Sequence, residues 1–105
     1  MATYTFITDF QGGTYVSQKE AGDLRTACFL WKAEIAAGGY IPRLNAESFS
    51  QAFDADMDEL PPIPLDGLRN VWLFHLMLGD DQLDLHIVQT DTAPVQAISF
   101  HALPA

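Results

Sequence analysis

The chain has 105 residues, of which 14 are acidic and five basic, giving a formal net charge of −9; 49% of its residues are apolar. That length accounts for one domain spanning 1–105, and seven Phe, three Tyr and two Trp exclude a disordered chain, which pairs high charge with few aromatics. The cations Lys19, Arg25, Lys32, Arg43 and Arg69 are scattered among the acids, which excludes a nucleic-acid backbone site and adhesion to an anionic membrane surface.

The same acidity attracts a basic protein partner, and it also keeps an apolar small domain in solution. The residues after Met1 enter a strand pattern, with no basic stretch followed by an apolar one as a secretory leader requires. Val71 to Leu78 is the longest near-apolar run, far below the ~20 residues of a membrane span. A single cysteine, Cys28, closes no intramolecular disulfide. The expected location is therefore cytoplasmic.

In chain order, Thr3 to Gln18 reads as a hairpin. Tyr4-Thr5-Phe6-Ile7-Thr8-Asp9-Phe10 and Thr14-Tyr15-Val16-Ser17-Gln18 flank Gly12-Gly13, and a two-residue turn needs the positive φ that glycine supplies. With Gly12-Gly13 at the tip, Phe10 pairs with Tyr15, Asp9 with Val16 and Thr8 with Ser17. One face then carries Tyr4, Phe6, Phe10 and Tyr15, the side expected to meet the core. The glycine pair lacks the rest of any phosphate-loop pattern.

Asp23 is an N-cap for a helix to about Ala37, with Leu24, Ala27, Cys28, Trp31 and Ile35 as one apolar stripe and Gly38-Gly39 as its stop. Cys28 on that stripe reads as a buried structural thiol, since a reactive thiolate needs exposure and a positive neighbourhood. Asn45 opens a second helix whose stripe is Phe49, Ala52, Phe53 and Met57. Its far side carries Asp54 and Asp58, and acids at a helix C-terminus oppose the dipole, so fraying is expected there. Asp54-Ala55-Asp56-Met57-Asp58 starts like a calcium loop and then departs from it: Glu59 stands where glycine is needed and Leu65 where the bidentate Glu belongs.

Leu60 to Gly67 holds Pro61, Pro62 and Pro64 and reads as a stiff connector, excluded from helix and central strand. Val71–Leu78 and Leu83–Thr90 then form the most apolar hairpin around Gly79-Asp80-Asp81-Gln82. Setting Leu78 opposite Leu83 puts Trp72, Phe74, Leu76, Leu78, Leu83, Leu85 and Ile87 on the core face. Val95 to His101 is a candidate edge strand.

That register also sets His75 directly across from His86, with Asp84 diagonal to His75. Opposed Cβ atoms lie ~4.5–5.5 Å apart, so His75, His86 and Asp84 form a candidate metal set, two imidazoles and a carboxylate leaving zinc an open position. The competing reading is a structural or interface histidine pair on a face shared with Leu73, Met77 and Val88. Ser17, Ser48, Ser50 and Ser99 lie in no nucleophile elbow, and Asp80 and Asp81 sit at a turn tip with no cleft around them. The sequence thus names no catalytic residue and no cofactor.

Thr5-Phe6-Ile7, Gly12 to Gln18, the Ala-rich helix and Asp66-Gly67-Leu68-Arg69-Asn70-Val71-Trp72 together resemble a set of small uncharacterised bacterial proteins over most of the chain. That set has no assigned activity, and the resemblance carries no functional residue across. The opening order of hairpin then helix is also similar to antitoxins of the HicB type, over the first third of the chain.

The resulting expectation is an α+β domain of order ββααββ, with an optional last strand. Two hairpins make an antiparallel sheet of four or five strands, and two helices cover one face. The other face and the strand edges call for a homodimer. The expected role is a non-catalytic interaction module, an antidote or regulatory subunit for a basic partner. The alternative is a small metal-dependent or ligand-binding protein using the His75, Asp84 and His86 face.

Overall fold

The computed structural model describes residues 1–90; the strand expected over 95–101 lies outside the described residues. Strand β1 (Ala2–Phe10) turns directly into β2 (Gly13–Ala21), and alternation decides which side is buried. Tyr4, Phe6, Thr8 and Phe10 point inward, while Thr3, Thr5, Ile7 and Asp9 point to the opposite face.

The turn falls on Gln11 and Gly12, with φ of 49° and 81°, the two positive values that a tight hairpin requires. Phe10 accordingly pairs with Gly13, Asp9 with Thr14 and Thr8 with Tyr15, which corrects the pairing built on Gly12-Gly13. Gly13 is needed as a strand residue, because a Cβ there would meet the Tyr15 ring at 2.8 Å. Gln11 is held by its own bond, its Nε2 donating to Asp81 Oδ2 at 3.0 Å. Moving the tip by one residue shifts each partner by two, so every side chain keeps its face.

Helix α1 (Leu24–Ala36) starts where the Asp23 carboxylate accepts the Thr26 N–H at 2.7 Å. Its buried residues are Ala27, Cys28, Trp31 and Ile35, four of the expected stripe, and Leu24, the fifth, is partly buried against the same core. Gly38 and Gly39, with φ of 91° and 82°, release the chain from helix. Helix α2 (Ala46–Glu59) is capped by Asn45, whose Oδ1 accepts the Ser48 N–H at 2.9 Å. It stays helical through Glu59, and the Leu60 N–H still donates to the Asp56 carbonyl at 2.7 Å. Asp54 is occupied by Lys32 of α1 at 2.6 Å, which ties the two helices together across their exposed sides.

The connector forms a two-residue strand β3 (Ile63–Pro64) beside β4 (Val71–Leu78), an edge position that proline tolerates. Strand β5 (Asp81–Thr90) returns antiparallel to β4. The sheet order is β2-β1-β5-β4-β3, antiparallel throughout. The expected α+β class and ββααββ order are realised, with the additional strand at 63–64. The two hairpins join because β1 pairs with β5, from Thr3↔Thr90 to Phe10↔Leu83.

Between sheet and helices lies one aromatic cluster. Phe6 stacks on Trp31 with centroids 5.6 Å apart and planes 9° from parallel. Trp31 meets Phe49 edge-on at 5.5 Å, and Phe53 meets Phe74 edge-on at 5.8 Å. Each such fully buried side chain contributes about 1.5–3 kcal/mol through apolar burial. The helices therefore lie over one face of the sheet, with Tyr15, Trp72 and Leu78 partly exposed at its margins, and among the described residues no element covers the other face.

Candidate interaction surface

Direct pairing places residues of successive strands side by side, so the open face can be read in rows across the sheet. One row runs Val16, Ile7, His86, Leu73 and Ile63 over all five strands. It is apolar except for His86 at its centre, and Val16 and Ile63 are more than half exposed. The next row toward the hairpin tips is Thr14, Asp9, Asp84 and His75. Thr14 Oγ1 donates to Asp9 Oδ1 at 2.6 Å, and Gln82 Nε2 donates to Asp84 Oδ1 at 2.7 Å. On the other side lie Gln18, Thr5, Val88 and Val71, then Glu20, Thr3 and Thr90. Among the described residues, no Lys or Arg belongs to these rows. The chemistry offered is an apolar stripe flanked by carboxylates.

The residues singled out from sequence need one correction. The β4–β5 turn uses Gly79 and Asp80, with Gly79 at φ 67°. Glycine at the first central position is what a two-residue turn of this hand prefers. Leu78 consequently pairs with Asp81, not Leu83. His75 then lies opposite Asp84, and His86 lies opposite Leu73. The two imidazoles share the open face but are diagonal neighbours, for which ~7–8 Å is the usual separation. Among the described residues no group of three or more His, Cys, Asp or Glu side chains is placed to hold a metal ion.

Cys28 is buried. Burial pushes its thiol pKa up to about 12, against a smaller opposing pull from Arg25. It is a packing residue, inert as a nucleophile at neutral pH. Tyr4, beside it in the core, is also raised, chiefly by burial and then by the Asp23 charge.

A second feature was not foreseen in the connector. Glu59, Leu60, Pro61, Ile63, Leu73, Phe74 and His75 line a cleft of about 270 Å³ at the β4 side of the sheet. Leu60 and Ile63 are 65% and 57% exposed, which marks this margin as an apolar surface rather than part of the core. The one legible signal was a run of aliphatic residues among prolines, where stiffness hid the fact that two residues pair with a strand.

No helix among the described residues is long and apolar enough to cross a membrane. Compared with protein-family models, curated proteins and solved structures, the chain has no significant match.

Proposed function

We propose that this chain is an acidic, non-catalytic protein-interaction module, an antidote-type or regulatory subunit for a basic partner. The observation that carries this reading is the open face of the sheet, where the Val16–Ile7–His86–Leu73–Ile63 row is bordered by Asp9 and Asp84 with no Lys or Arg beside them. An apolar stripe supplies the area of an interface, and its carboxylate border selects a cationic partner and speeds encounter.

The test is capture of partners from native-host lysate at low salt, by the intact chain and by a variant carrying both Asp9→Lys and Asp84→Lys. One stoichiometric basic protein, released as salt rises and not retained by the charge-reversed chain, is the expected result. Retention of no basic protein at low ionic strength, or equal retention by both baits, overturns the reading.

A further inference from the structure

We propose that the open edge of β4, with the apolar cleft beside it, is a strand-addition site for an extended segment of a partner that alternates apolar and basic residues. This deepens the basic-partner reading and rests on it.

The first support is backbone direction. The Leu65 N–H donates to the Val71 carbonyl at 3.0 Å, so the main-chain groups of Val71 face the β3 side. Direction alternates along a strand, and those of Leu73, His75 and Met77 face the same way. Leu73 is paired with Ile63. Pro62 and Pro61, which join Ile63 to the end of α2, make no pair with β4. Among the described residues, nothing pairs with β4 on this side after Leu73. The N–H and C=O groups of His75 and Met77 are thus, among the described residues, an unpaired half-ladder.

The opposite edge of the sheet is treated differently, for there the Tyr40 hydroxyl donates to the Val16 carbonyl. At β4, Met77 is 53% exposed, and no lysine blunts the edge as edge strands often require.

The second support is the cleft itself. At about 270 Å³ it falls below the ~300–1,000 Å³ usual for small-molecule pockets. It suits one or two side chains projecting from an added strand, whose alternate residues would face the α2 side and the open face.

The third is charge. Glu59 is the charged residue of the lining, with no Lys or Arg in it. Asp80 lies in the turn at the far end of β4, after the last pair Leu78↔Asp81, while the Asp81 carboxylate is taken up by Gln11 on the β1 side. Carboxylates therefore bracket the open edge at both ends, and a segment carrying lysines would meet one at each.

The probe is a blocked octapeptide of alternating lysine and valine, with a glutamate–valine octapeptide as control, added to the full chain. Amide exchange is followed residue by residue by NMR. The His75 and Met77 amides are expected to exchange rapidly in the free chain and at least about tenfold more slowly with the lysine peptide, an effect of hydrogen-bond size.

Met77→Pro deletes one edge donor without touching the bonds to β5, and is expected to weaken binding about tenfold. Glu59→Lys, a surface change that keeps the fold, is expected to weaken binding and flatten its salt dependence. Slow exchange at His75 and Met77 in the free chain means that residues 91–105 or a second copy already cover the edge, and overturns the proposal. Peptide binding with protection elsewhere, or no peptide binding while a basic protein is still captured, overturns the site and leaves the basic-partner reading standing. Equal binding of the glutamate peptide overturns the charge selection, and failure of both peptide and lysate capture overturns site and reading together.

Discussion

Asp9 of β1 and Asp84 of β5 stand directly opposite each other on the open face of the sheet. Like charges in direct cross-strand register oppose folding, and relief of such a pair is worth about 0.2–1 kcal/mol. Their side chains are kept in place by Thr14 and Gln82.

Asp84→Asn is therefore expected to raise stability by about 0.5 kcal/mol at neutral pH and low salt, with the gain shrinking as salt screens the pair. Urea midpoints of both chains at two ionic strengths measure it. A destabilised variant would show that the carboxylate is satisfied within the chain.

Phe53 of α2 touches Phe29 and Trp31 of α1, Phe49 of its own helix and Phe74 of β4. Like Trp31, which meets Phe6 of β1 and Phe49 of α2, it joins both helices to the sheet. Phe53→Ala is expected to cost about 3–5 kcal/mol, a large share of the ~5–15 kcal/mol that holds a domain folded. Chemical denaturation followed by Trp31 fluorescence reports the loss, since the indole sits 6.3 Å from the Phe53 ring.

Thr8 faces the core and is 1% exposed, yet its Oγ1 has no hydrogen-bond partner among the described residues. Burial of an unpaired hydroxyl costs about 1–3 kcal/mol. Thr8→Val keeps the shape and the strand preference and is expected to raise the denaturation midpoint. A drop in midpoint would mean that the hydroxyl is hydrogen-bonded in solution.

Cys28 and Tyr4 are expected to lower stability at alkaline pH. Both pKa values are raised in the folded chain, Cys28 to about 12. The unfolded thiol releases its proton near ~8.5, while the folded one keeps it, so above that pH the unfolded state binds fewer protons. Stability from this source is intact below ~8.5 and falls as pH rises toward 12. Cys28→Ala is expected to flatten that decline, read as the midpoint between pH 8 and pH 11. The thiol should also resist an aromatic disulfide reagent until the chain unfolds.

Raised salt tests the open face in another way. At about 1 M salt the Debye length is ~3 Å, and repulsion between the carboxylate borders of two copies is screened. The chain is expected to self-associate through the Val16–Ile7–His86–Leu73–Ile63 row. Leu73→Lys, at a position already partly exposed, should keep it monomeric. Sedimentation velocity at low and high salt separates the two, and an unchanged sedimentation coefficient counts against this face as the homodimer surface.

What the sequence determined by itself was everything with a short period. The 3.6-residue stripe of Ala27, Cys28, Trp31 and Ile35, the caps Asp23 and Asn45, and the two-residue alternation of Tyr4, Phe6 and Phe10 or Leu83, Leu85 and Ile87 are local, and each appears in the fold as read. Even the hairpin faces survived, because a tip displaced by one residue moves partners by two and leaves inward residues inward.

Partner identity required the tertiary structure. Which residues turn the chain depends on where a positive φ is tolerated and on bonds such as Gln11 to Asp81 between the two tips. That displacement separated His75 from His86 and set Asp84 opposite both His75 and Asp9. The β1–β5 pairing joins residues some eighty positions apart. No local pattern encodes it; it forms because two half-buried hairpins can cover their apolar faces only by sharing one sheet beneath the same pair of helices.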